Sequence, residues 1–89
     1  MDKLVMAELI GLDVKIIKSI RRELIGLKGT VVDETLNTFV IEVDSREKVV
    51  PKKLCVFRFH TDEGQHDIDG RDLSYRPEDR IKKYWKDFV

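Results

Sequence analysis

The chain has one cysteine, two prolines and five glycines among its 89 residues. A single cysteine excludes a disulfide framework. Its place in the apolar-rich stretch Leu54–Phe59 predicts that Cys55 is a buried, inert thiol in a reducing cytoplasm. No run of eighteen or more apolar residues occurs, and the N-terminus lacks the charged-then-apolar layout of a secretory signal. The expectation is a cytoplasmic protein that neither spans a membrane nor is exported. An excess of one charge is also missing, since seventeen Lys and Arg balance seventeen Asp and Glu. Any argument for a polyanionic partner must therefore come from where the cations lie.

What the chain does have is charge of both signs, 38% of residues, and a 42% hydrophobic share that suffices for one core. At this size about 60–65% of the unfolded chain's surface is buried on folding, so a single domain over residues 1–89 is expected. Residues 1–10 carry Leu4, Ala7, Glu8 and Leu9 without a breaker before Gly11, which predicts a short N-terminal helix. From Leu12 the period changes to two, and Leu12, Val14 and Ile16 alternate with Asp13, Lys15 and Ile17 as in a half-buried strand. Lys18 to Gly26 reads as a charged connection. Gly29–Val32 and Thr38–Ile41 flank Glu34-Thr35-Leu36-Asn37 as a hairpin, with a bend or bulge expected at Gly29. A polar turn at Asp44–Glu47 leads to Lys48-Val49-Val50, which Pro51 ends or edges because it has no amide donor. Leu54–His60 places Cys55, Phe57 and Phe59 on one face, and a last short strand covers His66–Asp69.

Five or six short strands with turns every eight to twelve residues predict an antiparallel barrel or sandwich over residues 12–75. The expected core is Val14, Ile16, Val31, Val40, Ile41, Val50, Phe57, Phe59 and Leu73. A C-terminal helix over residues 77–88 is signalled by Pro77 at its first position and acids in its first turn. Ile81, Tyr84, Trp85 and Phe88 would form its apolar stripe, with Arg80, Lys82, Lys83 and Lys86 off it.

Catalytic chemistry has no telling pattern here. His60 and His66 flank a turn, and with one cysteine they do not complete a zinc site, so no metal ligands are assigned. Asp33-Glu34 and Asp67/Asp69 read as solvated turn carboxylates rather than general acid and base. Gly26 and Gly29 match no phosphate-binding loop. What remains is a set of cations, Arg21, Arg22, Lys28, Lys52, Lys53, Arg58, Arg71, Arg76, Arg80, Lys82 and Lys83, suited to salt-sensitive phosphate contacts with RNA read by shape.

Four segments in order carry a family resemblance. They are Glu8-Leu9-Ile10-Gly11-Leu12, Gly29-Thr30-Val31-Val32-Asp33-Glu34-Thr35-Leu36-Asn37-Thr38, Lys48-Val49-Val50-Pro51-Lys52 with Val56-Phe57-Arg58-Phe59, and Asp69-Gly70 with Leu73 and Arg76-Pro77-Glu78-Asp79-Arg80. Together they resemble archaeal ribonuclease P protein component 1. The resemblance implies a strongly bent antiparallel Sm-like barrel with a short helix at each end. It implies a non-catalytic, RNA-binding subunit of an endoribonuclease, the ribonucleoprotein that removes the 5′ leader from precursor tRNA. The implied partners are ribonuclease P RNA, the zinc-ribbon subunit ribonuclease P protein component 4 and, through the holoenzyme, precursor tRNA. No cofactor is expected on this chain, since hydrolysis would use magnesium held by the catalytic RNA. The chain starts a few residues before Glu8 and ends at Val89, so longer RNA-binding extensions are not expected.

On that basis RNA contact is assigned to Lys52, Lys53, Arg58, Arg76, Arg80, Lys82 and Lys83, arginine being favoured because its planar fork engages a phosphate by two bonds. Arg76 and Arg80 have a second reading, as ties from the last helix to barrel carboxylates. Partner contact is assigned to Leu4, Leu9, Val14, Ile16 and Ile17, because so short an apolar helix needs another surface; the alternative is that it caps the barrel itself. The rival function is an Sm-like or SH3-like interaction scaffold without RNA contact, which evenly spread cations would favour. A self-sufficient nuclease would need carboxylates converging on a divalent metal.

Overall fold

A computed structural model describes residues 3–85 of the chain. Six strands, β1 (Asp13–Ser19), β2 (Lys28–Glu34), β3 (Thr38–Val43), β4 (Arg46–Pro51), β5 (Cys55–Thr61) and β6 (Gly64–Asp69), pair antiparallel in the order β4-β3-β2-β1-β5-β6. Single 3-10 turns, Lys3–Met6, Arg22–Leu24, Lys52–Leu54 and Gly70–Leu73, punctuate them, and one α-helix, α1 (Pro77–Tyr84), follows. The β3–β4 turn has Asp44 at φ 51° and Ser45 at φ 65°, the pair of left-handed residues that a two-residue hairpin needs to match strand twist.

The sheet is strongly bent. Phe39 on β3 and Phe57 on β5 are three strand steps apart, about 14 Å in a flat sheet. Yet their rings meet edge to face with centroids 5.1 Å apart, and Phe59 joins at 6.0 Å from Phe39. The sheet therefore curls until its two ends face each other across a core that includes Val14, Ile16, Val31, Phe39, Ile41, Val50, Phe57, Phe59 and Leu73.

Closure differs from the expected barrel. Among the described residues no ladder joins β4 to β6, so by hydrogen bonding the sheet is open. The Lys52–Leu54 turn leaving β4 packs instead against the Gly70–Leu73 turn leaving β6. Their approach is so close that a Cβ on Gly70 would fall on the Lys52 carbonyl oxygen.

Three further expectations need correction. Val40 is half-buried while Phe39 is fully buried, because adjacent residues of a pleated strand cannot both face the core. Among the described residues the expected N-terminal helix is a 3-10 turn, Lys3–Met6, since two turns of helix are too short to propagate. Leu73 lies in a 3-10 turn rather than a strand, and is buried as expected. The expected helix residues 86–88, with Lys86 and Phe88, lie outside the described residues.

Two bulges redirect side chains with consequences for everything else. In β2, Val31 pairs with Ile41 but Asp33 pairs with Val40, leaving Val32 as the extra residue. The inside-outside phase inverts there, so Glu34 stands opposite Phe39 and points into the core, while Asp33 is exposed. The Glu34 side chain, expected to be solvated, is 0% exposed and forms ion pairs with both Lys52 and Arg80.

Lys52 Nζ donates to Glu34 Oε2 at 2.6 Å and to the carbonyls of Thr35 at 2.7 Å and Leu36 at 3.3 Å, and sits 4.8 Å from the Phe39 ring centroid. Burial pushes the Lys52 ammonium below its ordinary pKa, and its bond to Glu34 pulls the other way. Arg80 donates from Nη1 to Glu34 Oε2 at 2.5 Å and from Nε to the Val5 carbonyl at 2.6 Å, with longer bonds to the carbonyls of Tyr75 and Ala7. One carboxylate on β2 thus gathers the β4–β5 connection, the N-terminal segment and α1. The helix is rotated from its expected stripe to permit this. Arg80 and Tyr84 face inward, whereas Ile81 and Trp85 are 47% and 49% exposed.

Removing the carboxylate would leave two buried cations without a counter-charge, a loss of about 3–5 kcal/mol for a broken buried pair. Glu34→Gln is therefore expected to lower the melting temperature by more than about 10 °C; a change within about 2 °C would show that the buried pairs contribute little. Gly70→Ala is expected to cost about 1–3 kcal/mol by forcing the two 3-10 turns apart, measured by the same melting experiment. An unchanged melt would contradict the close approach at Gly70.

Candidate nucleic-acid interface

The second bulge lies in β1. Ile16 pairs with Phe57 but Lys18 pairs with Val56, leaving Ile17 extra. Without it, Lys18 would share the inward phase of Val14 and Ile16. With it, Lys18 joins the outward row Lys18, Val56, Asp69 that runs across β1, β5 and β6. Ser19 turns inward in its place and accepts a hydrogen bond from the Cys55 thiol at 3.4 Å. Burial pushes the Cys55 thiol above its ordinary pKa, as befits an inert structural residue.

Above that row opens a groove of about 450 Å³, lined by Lys18, Ser19 and Ile20 from the end of β1, Lys53 and Leu54 from the β4–β5 connection, Cys55 and Val56 from the start of β5, and Asp69 and Arg71 from the exit of β6. Its walls are fixed to one another, because the Ile20 amide donates to the Leu54 carbonyl at 3.0 Å. Lys18 and Lys53 are exposed and have no ion-pair partner among the described residues. Arg71 donates from Nη2 and Nε to Asp69 at 2.9 and 3.2 Å, which holds the Asp69 carboxyl below its ordinary pKa. That arginine is still three-quarters exposed, so its fork remains accessible from solvent.

Charge separates this groove from two others. It has three cations and one carboxylate, against one cation, Arg76, and one exposed carboxylate, Glu78, in the groove of Glu34, Thr35, Leu36, Arg76 and Glu78, where Glu34 is already paired with Lys52 and Arg80. A third, formed by Gly11, Leu12, Asp13, His60, Thr61 and Asp62, has two carboxylates and one histidine. Of these three grooves, only the first concentrates positive charge, in a chain whose formal net charge is zero.

The residues assigned from sequence fall into three groups. Lys52 and Arg80 are fully buried on Glu34 and have no surface to offer RNA, so their assignment is corrected to the tie anticipated as Arg80's second reading. Arg58 is partly exposed but committed to its cross-strand neighbour Asp67, donating from Nε at 2.8 Å and Nη2 at 3.1 Å. Lys53, Arg76, Lys82 and Lys83 are exposed, and of these Lys53 lines the positive groove. Lys83 rests over the Tyr75 ring with its ammonium 5.7 Å from the centroid.

The partner residues need correction as well. Leu9, Val14 and Ile16 are 0% exposed and belong to the protein's own core, so they offer no docking surface. Leu4 is half-buried against that core, and Ile17 is half-buried as the bulged residue of β1. Sequence reasoning missed Lys18, whose outward direction is set by a bulge that period-two counting does not reveal. Arg71 was included only among the general cations. Among the described residues no three His, Cys, Asp or Glu side chains cluster as metal ligands.

Comparison with known proteins places this geometry. The family model for ribonuclease P/MRP subunit p29 matches residues 2–83. Ribonuclease P protein component 1 of Methanothermobacter thermautotrophicus is 53% identical over 81 residues, covering 89% of this chain and 87% of the relative. That of Methanocaldococcus jannaschii is 52% identical over 77 residues, covering 85% and 81%. A solved structure described as Mth11, a homologue of human RNase P protein Rpp29, matches with a TM-score of 0.62 at 53% identity over 84% of this chain and 99% of that one. A family match over nearly the whole length, joined to relatives this similar, shows that the chain belongs to the ribonuclease P/MRP subunit p29 family.

Proposed function

We propose that the protein is the non-catalytic RNA-binding subunit that supports the catalytic RNA of ribonuclease P in removing the 5′ leader from precursor tRNA. Family membership supports the holoenzyme assignment, and the positive groove at Lys18, Lys53 and Arg71 is the observation that carries RNA contact. Phosphate contacts from these cations supply affinity that falls steeply with salt. The curled sheet, its gap filled by two 3-10 turns, fits an Sm-like barrel in the wider sense implied by the resemblance.

Three carboxylates from the close pairs in the sequence, Glu34, Asp67 and Asp69, are held in structural ion pairs. Glu34 is neutralised in the core, and Asp67 and Asp69 are held by Arg58 and Arg71. In this reading the phosphodiester is cleaved at magnesium ions held by RNA, and ribonuclease P protein component 4 is the protein partner, in the cytoplasm. Ile81 and Trp85, exposed on α1, are better placed for protein contact than the buried Leu9, Val14 and Ile16. Evenly spread cations would favour the scaffold alternative, and the charge difference between the grooves disfavours it.

The test is cleavage of precursor tRNA by ribonuclease P RNA at modest magnesium, with and without this chain and its zinc-ribbon partner. The pair is expected to raise cleavage while the chain without RNA cleaves nothing. A pair that neither binds the RNA nor alters cleavage would overturn the reading. Charge reversal at Lys18 and Lys53 together is expected to weaken RNA binding by at least about tenfold and to flatten its salt dependence. Unchanged affinity with an unchanged salt slope would move the interface elsewhere.

A further inference from the structure

The positive groove has a second property besides charge: an exposed isoleucine on a fixed backbone. Ile20 is 80% exposed although its amide is anchored to the Leu54 carbonyl and its neighbour Ser19 is held in the ladder with Cys55. Its backbone is therefore held in the same groove wall as Lys18, facing Lys53 and Leu54. A continuous duplex presents phosphates on a convex surface and keeps its base faces stacked, so it offers nothing apolar for a groove to receive. An unpaired nucleotide offers both parts, a phosphate for the cations and a base face for an aliphatic wall. The groove, at about 450 Å³, is of the size that takes a small organic ligand.

We propose that this groove receives a single unpaired RNA nucleotide, with its phosphate between Lys18 and Lys53 and its base against Ile20. The proposal rests on the RNA-binding reading above and deepens it. It assigns the groove to recognition of a bulged or looped-out position rather than of helix backbone. Lys18 and Lys53 supply charge to any RNA, whereas Ile20 contributes only where a base is free, so the two functions are separable by substitution. Ile20 is so exposed that replacing it leaves the core untouched.

The experiment measures binding of the full chain to two RNA hairpins that differ only by one bulged nucleotide in the stem. The wild type is expected to favour the bulged hairpin by about fivefold. Ile20→Ser is expected to abolish that preference while keeping duplex affinity, and Lys18→Ala with Lys53→Ala to weaken both complexes. Equal affinity of the wild type for both hairpins, or a preference that survives Ile20→Ser, would overturn the proposal and leave the RNA-binding reading standing. Absence of binding to either hairpin and to ribonuclease P RNA would overturn both. A polyglutamate peptide that competes as well as bulged RNA would overturn it in favour of an acidic protein partner.

Discussion

The Glu34 carboxylate is the contact on which the rest of the structure depends. It lies on β2, faces inward, and is shared between Lys52 and Arg80. Buried ions are costly to desolvate, and an arrangement with two cations and one anion is stable only when the remaining protons are satisfied. Here backbone carbonyls complete it. Those of Thr35 and Leu36 serve Lys52, and those of Val5, Tyr75 and Ala7 serve Arg80. The acceptors come from segments that have little regular structure of their own. A single 3-10 turn at the N-terminus and eight residues of α1 are too short to persist alone, and Arg80 ties both to the sheet beside the packing of Val5, Leu9 and Tyr84 in the core.

The same constraint separates structural from available cations. In so charge-rich a chain, a list of Lys and Arg says little about function until the paired and buried ones are removed. Lys52 and Lys53 are neighbours in sequence, yet one is sealed under the sheet and the other lines the groove. Lys52 also fixes the connection that Lys53 and Leu54 continue. The buried ion pairs therefore shape one wall of the surface proposed to meet RNA.

Much of the fold was legible. Alternation in β1 and β5, the hairpin turns and the start of α1 follow directly from period and turn chemistry, and most of the expected core is buried, although in β3 the inward residue is Phe39 rather than Val40. The failures that bear on Glu34 and Lys18 have a common origin. A bulge adds one residue and inverts which side chains face inward beyond it, and no residue type marks it unambiguously. At Val32 the inversion buries Glu34, which reads as a turn acid; at Ile17 it exposes Lys18, which reads as part of a connection. The rotation of α1 has the same character. Ile81 and Trp85 look like the inner stripe, but the demand of Glu34 for a second cation turns Arg80 inward instead. The candidate site was thus hidden because its position depends on two local departures from regular strands.

The most direct test of this account is lysine-reactivity footprinting of the chain in complex with ribonuclease P RNA and the zinc-ribbon partner. Modification by an amine-specific reagent is read by mass spectrometry with and without RNA. Lys18 and Lys53 are expected to react in the free protein and to be protected by RNA, with Lys52 unreactive in both states because it is buried. RNA-dependent protection that spares Lys18 and Lys53 and falls elsewhere, or ready modification of Lys52 in the free protein, would contradict the account.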